Sequence, residues 1–259
     1  MGNDDAIVQA ARVSYGKGTK SYREDRSLIR YLMRQKHTSP FEMVEFKFDI
    51  RLPIFVARQW IRHRTANVNE YSGRYSEMVE ECYLPNPEQL CTQADNNRQG
   101  RSEQTLDEET GRTVLSQLEQ SQKNAFSSYR NYLSVGLARE ISRINLPLST
   151  YTEWYWKIDL HNLLHFLRLR LDSHAQYEIR VYAEAITQII KKIVPVTYEA
   201  FEDYALNAVT FSATEMRILR NMVNRSQLNE TDLNDSGLSK REISSFIQSL
   251  SNDTNHTNK

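Results

Sequence analysis

Glycine is scarce in this chain. Its 259 residues include 8, and neither a GxGxxG nor a GxxxxGK[ST] pattern can be drawn among them. Any nucleotide bound here must be held by side chains, because no glycine-rich loop offers its backbone N–H groups to a phosphate. Cysteine is rarer still. Cys82 and Cys91 form no CxxC pair and no disulfide framework, which points to a reducing, cytoplasmic setting. Net charge is also missing, since 33 Lys and Arg balance 33 Asp and Glu. That balance argues against nucleic acid as a partner, whose binders carry a basic excess. Apolar runs such as Ile54-Phe55-Val56-Ala57 are far too short to cross a bilayer, so no membrane partner is expected. The acidic start Met1-Gly2-Asn3-Asp4-Asp5 is unlike the basic start of a signal peptide. What is present is 39% hydrophobic residues at a mean hydropathy of −0.64, polar but globular. The length suits one large domain or two small ones with a real core.

The apolar periodicity changes along the chain. Residues 25–33 space Leu28, Ile29, Leu32 and Met33 as a helix with a buried stripe. Val44, Phe46, Phe48, Ile50 and Leu52 then alternate with charged residues, which reads as a half-buried strand. Pro53 stands where a short helix over 54–62 can begin. Residues 92–113 are polar and read as a surface loop or insertion. Helices follow over 115–137 and 138–144, the second stopping at Pro147. Residues 151–158 are aromatic and strand-prone. Further helices are expected over 160–171 and 175–193, the latter ended by Pro195. Beyond them lie a helix over 213–223, a polar linker, and Ser239-Lys240-Arg241-Glu242, a capping-box pattern opening another helix. The tail over 252–259 reads as frayed.

Two segments concentrate chemistry. In the first, Gln59, Arg62 and His63 stand at i, i+3 and i+4 and share a helix face. Arg62, Arg64 and Arg74 supply planar cationic forks suited to phosphate oxygens. Ser72 adds a hydroxyl, Gly73 permits close backbone approach to an anion, and Tyr71 and Tyr75 can stack on a ring. The combination describes a site for a phosphorylated aromatic molecule, against a plain alternative of a solvated helix end. Ser72 with His63 as base would be a hydrolase pair, but the surrounding sequence is not the G-x-S-x-G elbow. The second segment carries His161 and His165 at zinc-ligand spacing. Asn162 replaces the glutamate of HExxH, leaving only a weak zinc site completed by Asp172 or His174. Arg170, flanked by Leu169 and Leu171, needs an anionic or carbonyl partner if partly buried, either a structural Glu178 or a substrate.

Arg62-His63-Arg64 followed after seven residues by Ser72 resembles the RHRx7S signature of the flavin-dependent thymidylate synthases (the ThyX family). Ala10-Ala11-Arg12-Val13-Ser14, His37-Thr38-Ser39-Pro40-Phe41-Glu42, Leu146-Pro147-Leu148 and Leu169-Arg170-Leu171-Asp172-Ser173-His174-Ala175-Gln176 are similar to other blocks of that family, in order, from residue 1 to about 206. The resemblance implies an α+β fold, an antiparallel sheet packed with long helices. It divides the chain into a synthase domain over 1–206 and an accessory helical extension over 207–259 with a disordered tail. It implies a methyltransferase that converts dUMP to dTMP, with methylenetetrahydrofolate as carbon donor and NADPH as reductant through bound FAD. No cysteine nucleophile is used, and the working form is a cytoplasmic homotetramer whose sites combine several subunits.

Carried over residue by residue, the resemblance assigns FAD contacts to Ser14, Ser39, Arg62, His63, Arg64, Glu70 and His165. Asp159 and His161 join them in place of the family's Asn-x-Arg pair, a change of polarity. It assigns dUMP binding to Gln59, Arg62, Glu70, Ser72, Gly73, Arg74, Arg143 and Arg170. Arg170 would be the catalytic residue, holding the uracil imide in its ionised form, and His37 would lie near the flavin. No resident metal is implied. Family members also carry a strand ahead of the Met1-Gly2-Asn3-Asp4 position, so a bare sheet edge is expected here. The alternatives are a noncatalytic binder of phosphorylated ligands or RNA using Arg62, Arg64 and Arg74, and a zinc hydrolase built on His161 and His165.

Overall fold

The structure is a computed structural model, and it describes residues 2–13, 22–95, 98–223, 233 and 235–251. The chain forms two compact units, one over residues 1–207 and another over 208–259. The frayed tail expected over 252–259 and the Asn96-Asn97 pair lie outside the described residues.

Three helices open the first unit: α1 (Asp4–Arg12), α2 (Tyr22–Arg34) and the single-turn α3 (Ser39–Glu42). Strand β1 (Glu45–Pro53) follows and pairs antiparallel with β5 (Tyr151–Asp159), from Glu45 opposite Asp159 to Pro53 opposite Tyr151. The other edge of β5 takes β2 (Asn67–Glu70), also antiparallel, so the sheet order is β1-β5-β2. Among the described residues the outer edge of β1 is unpaired. In β5 the period-two pattern is strict: Thr152, Trp154, Trp156 and Ile158 are buried, while Glu153 and Tyr155 are exposed. β2 has one core-facing residue, Val68, among three polar ones, and it is a strand because β5 offers it an edge.

Pro53 and the short α4 (Ile54–Trp60) turn the chain away from the sheet. The first amides of α4 need outside acceptors. Ile54 N–H donates to the Thr150 carbonyl and Phe55 N–H to that of Leu148, both at 2.9 Å. Trp60 at the end of α4 is fully buried and is the hub of the core. Its ring stacks on Phe166 at 4.7 Å and meets Trp156 edge-on at 5.1 Å. β5 runs directly into α7 (Leu160–Arg170), whose Leu160, Leu163, Leu164, Phe166 and Leu167 are buried. Asp159 is both the last strand residue and the helix N-cap, accepting from the Asn162 amide at 2.9 Å. α8 (Tyr177–Ile193) and α9 (Pro195–Phe201) complete the layer, ending in a π turn over Glu202–Leu206.

Three expectations are corrected. Residues 92–113 are not one loop: they hold most of the hairpin β3 (Cys91–Gln93) and β4 (Arg101–Thr105), and the first turns of α5 (Glu108–Ser134). α5 starts seven residues before the expected position because Asp107 caps it, accepting from the Thr110 amide. The hairpin is anchored by Arg101, which reaches both oxygens of Glu178 at 2.8 and 2.6 Å. α5 stops at Ser134 rather than Leu137, because Gly136 at φ +83° forms a Schellman turn. In that turn Gly136 N–H donates to the Leu133 carbonyl and Leu137 N–H to that of Tyr132. The next helical stretch is α6 (Arg139–Ser142) with a 3₁₀ turn over Arg143–Asn145. Finally, Pro195 does not merely end α8. It opens α9, whose first amides are capped from far away in the chain. The Asp4 carboxylate accepts from Val196 N–H at 2.9 Å, Thr197 N–H at 3.0 Å and the Thr197 hydroxyl at 2.6 Å.

The second unit contains α10 (Ala213–Met222), opened by a reciprocal Ser212/Glu215 capping box, and α11 (Lys240–Ser251). The Ser239/Glu242 box forms as its sequence pattern indicates: Ser239 N–H donates to Glu242 at 2.8 Å and Glu242 N–H to Ser239 at 3.3 Å. Arg220 Nε donates to the Ser249 carbonyl at 2.9 Å within this unit.

Candidate active site

The RHR segment begins where α4 ends. Trp60 is locked in the core, its carbonyl accepts from His63 N–H at 2.9 Å, and the chain emerges with Arg58, Arg62 and Arg64 exposed. Among the described residues none of these three arginines has a carboxylate partner. Such a cluster repels itself and is stabilised by an anion. Beside them, the side-chain oxygen of Gln59 is buried and has no hydrogen-bond partner among the described residues. An unmet acceptor costs free energy until a donor arrives, so its place at the site is informative.

His63 turns inward. Its ring lies edge-on to Phe166 at 4.9 Å and 6.3 Å from the ring of His165. Its Nε2 accepts a hydrogen bond of 3.0 Å from Arg170 Nε at the end of α7. Burial, then the Arg170 charge, then His165 push the His63 pKa down to about 4, so the ring is neutral at pH 7. His165 is shifted down as well, first by burial and then by Arg168 and His161. Burial likewise lowers the pKa of Arg170 from its ordinary value. Glu178 is not the partner of Arg170, because Arg101 occupies both of its oxygens. The carboxylate that would have made Arg170 purely structural is thus taken.

Further along, Ser72 organises a tight turn. Its carbonyl accepts from Tyr75 and Ser76 amides, and its hydroxyl accepts from Arg74 N–H at 3.3 Å. That hydroxyl is therefore tied to the turn, while the His63 ring is tied to Arg170, and no hydrolase pair forms. Gly73 is buried. A Cβ there would sit 2.6 Å from Met78 Sδ and 3.1 Å from Arg143 Cδ. The glycine is needed for the close approach of the Arg143 stem, which brings these two predicted residues together. Arg74 Nε pairs with Glu140 at 3.2 Å, both side chains being exposed. Such a pair is worth well under about 1 kcal/mol and yields readily to a stronger anion. Glu70 accepts from the Thr152 hydroxyl at 2.8 Å.

The remaining predicted residues are less engaged. Asp159 has both oxygens on Asn162, one on its amide and one on its side chain at 2.7 Å, so it acts as a cap. Ser39 is exposed at the start of α3, which packs against α7. His37 is exposed, its ring 5.9 Å from that of Tyr31. His161 is partly buried on α7. Ser14 lies outside the described residues. Among the described residues no three His, Cys, Asp or Glu side chains gather as metal ligands, and His174 is instead hydrogen-bonded to Asp172 at 2.8 Å. Sequence reasoning missed Arg58 as a member of the cation cluster and the Thr65–Asn162 hydrogen bond of 2.9 Å, which ties the RHR turn to α7. No local pattern signals the latter, whose two residues are 97 positions apart. A concavity of about 440 Å³ lies elsewhere, against Thr187, Lys191 and Tyr198.

A side-chain-built anion site on an α+β scaffold is the class these observations define. The sequence matches the family described as Thymidylate synthase complementing protein over residues 1–196, and the chain belongs to that family. It is 55% identical over 242 residues to the flavin-dependent thymidylate synthase of Wolbachia pipientis wMel, covering 93% of this chain and 84% of the relative. The enzyme of the same description from Treponema denticola is 50% identical over 250 residues, covering 96% and 91%. Among solved structures, the UMP/dUMP methylase PolB from Streptomyces cacaoi bound with 5-Br dUMP superposes with a TM-score of 0.72 at 36% identity, covering 79% of this chain and 92% of that one. The protein is a flavin-dependent enzyme of the thymidylate synthase class.

Proposed function

We propose that this enzyme reductively methylates dUMP to dTMP, with FAD as prosthetic group, methylenetetrahydrofolate as carbon donor and NADPH as reductant, as a homotetramer in the cytoplasm. The observation that carries the reading is Arg170: partly buried, without a carboxylate partner among the described residues, and hydrogen-bonded to the central histidine of the RHR segment. A guanidinium in that position lowers the cost of negative charge on the uracil imide and raises electron density at the ring carbon that attacks. Partial burial strengthens that interaction relative to water.

The donor set fits a flavin nucleotide and a nucleoside monophosphate. Arg58, Arg62 and Arg64 can take phosphate oxygens, in keeping with a chain that has no phosphate loop. His63, Glu70, His165, Ser39, Ser14 and His161 complete the proposed flavin contacts, Asp159 contributing through its cap of α7. Once bound, FAD supplies the hydride that completes the methyl group. Gln59, Arg62, Glu70, Ser72, Gly73, Arg74 and Arg143 bind the phosphate and sugar of dUMP, with Arg74 leaving Glu140 for the phosphate. The exposed apolar residues Val135, Ile144 and Leu148, on the segments before and after Arg143, support burial of this face by a neighbouring copy. Both cysteines are free, which suits a reducing compartment.

The purified protein should be yellow and should release tritium from dUMP labelled at the ring carbon that is methylated. Arg170→Ala should lower turnover about 10²- to 10³-fold with flavin still bound. Colourless protein that cannot be reconstituted with FAD, combined with salt-steep oligonucleotide binding, would overturn the reading.

A further inference from the structure

The proposed chemistry leaves a question of orientation. A guanidinium recognises a planar two-atom edge only if its plane is fixed, and rotation about the Arg170 Cδ–Nε bond would otherwise spread Nη1 and Nη2 over many directions. Among the described residues Arg170 makes a single hydrogen bond, from Nε to His63 Nε2 at 3.0 Å. Its Nη groups have no protein acceptor there. His63 is in turn fixed from several sides: its amide is bonded to Trp60, and its ring edge meets Phe166, which stacks on Trp60.

We infer that His63 is the positioning residue for Arg170, its unprotonated Nε2 accepting the Nε–H so that both Nη groups are presented to the pyrimidine imide. This rests on the thymidylate synthase reading and deepens it. The accepting role places the ring proton on Nδ1, which remains a donor on the far side of the imidazole. One ring then joins the flavin segment to the substrate arginine. The charged neighbours agree with a neutral ring: Arg170 and His165 face it from α7, with Arg168 and His161 behind His165. A proton on Nε2 would replace the accepted bond with repulsion between two cations.

The test reads the substrate edge directly. 5-Fluoro-dUMP is bound to the flavin-loaded enzyme, and the ionisation of its imide is followed by ¹⁹F NMR across pH. In the parent, Arg170 holds the imide of the bound nucleotide in its ionised form below its pH midpoint in free solution. In His63→Leu, kept saturated with added FAD, that midpoint should rise by about one pH unit, a tenfold change in the ionisation constant. His63→Gln, whose side-chain oxygen reaches the Nε2 position, should recover more than half of the shift. A merely structural histidine would not be rescued this way. An unchanged midpoint in His63→Leu overturns the inference, as does a midpoint in His63→Gln as displaced as that of Leu. So does loss of flavin from His63→Leu with the imide midpoint unaltered. If His63→Leu does not fold, His63→Asn, whose amide ends short of the guanidinium, is read by the same criteria. A parent protein that binds neither FAD nor 5-fluoro-dUMP sinks the synthase reading itself, whereas a parent that binds both beside an unaffected His63→Leu sinks only the inference.

Discussion

At the residue scale, Gly73 separates space from conformational freedom. Its backbone has no positive φ among the glycines that do, so an alanine is permitted there by the torsions. What an alanine meets is Met78 Sδ at 2.6 Å and Arg143 Cδ at 3.1 Å. The thioether end can swing aside, at about 1 kcal/mol. Arg143 gives way less cheaply, because its stem lies against the turn. Gly73→Ala should therefore melt only a few degrees lower while losing about tenfold in affinity for dUMP, as read by isothermal titration. Equal affinity would mean that Arg143 does not touch the nucleotide. The pH behaviour of His63 also belongs to this scale. Its folded pKa lies below the unfolded value, so the unfolded chain binds the extra proton between about pH 6.5 and 4, and this group contributes a loss of stability as pH falls through that window.

At the scale of elements, the β3–β4 hairpin depends on one buried ion pair. Glu178 is 7% exposed, Arg101 grips both of its oxygens, and the Tyr83 hydroxyl donates to it at 3.1 Å. Burial alone would push the Glu178 carboxyl up, but the Arg101 hydrogen bonds outweigh it and hold the carboxyl below its usual range. Removing the arginine leaves that carboxylate uncompensated, at a cost of about 3 kcal/mol. Arg101→Met should show this loss in urea titrations at pH 7. The difference from the parent should shrink at acid pH, once Glu178 takes up a proton. A loss that is the same at both pH values would assign it to packing. The same hairpin marks where sequence reasoning stopped. β1, β5 and α7 were legible because each buries a regular stripe, period two or 3.6, in a single core. The hairpin is polar on both faces and persists through a partner 77 residues away, which no local pattern encodes. β2 has the same problem, one apolar residue in four. In the candidate site, the RHR segment and Ser72 stand out by their spacing. The bond between His63 and Arg170 does not, because those residues are 107 positions apart and meet only after the core forms.

At the scale of the whole molecule, the proposed homotetramer has exposed apolar side chains to cover. Val135 is 73% exposed, and Ile144, next in sequence to Arg143, is 68% exposed. Size-exclusion chromatography with light scattering should give a particle of four 30.4 kDa chains. Ile144→Asp should shift it to smaller species and reduce turnover while keeping the helical circular dichroism. A parent that is monodisperse as a monomer and fully active would refute the shared site.

The cap of α9 sets an order on biosynthesis. Asp4 leaves the ribosome long before Val196 and Thr197, yet it is the acceptor for their amides. The first helix of this unit must therefore wait for its last, and the carboxylate stays in water through nearly two hundred further steps of translation. Pairings of such sequence separation slow the search for the native state. The final closure of this unit is thus a late event, and a nascent chain halted before residue 195 would carry α1 without the amides it is shaped to receive.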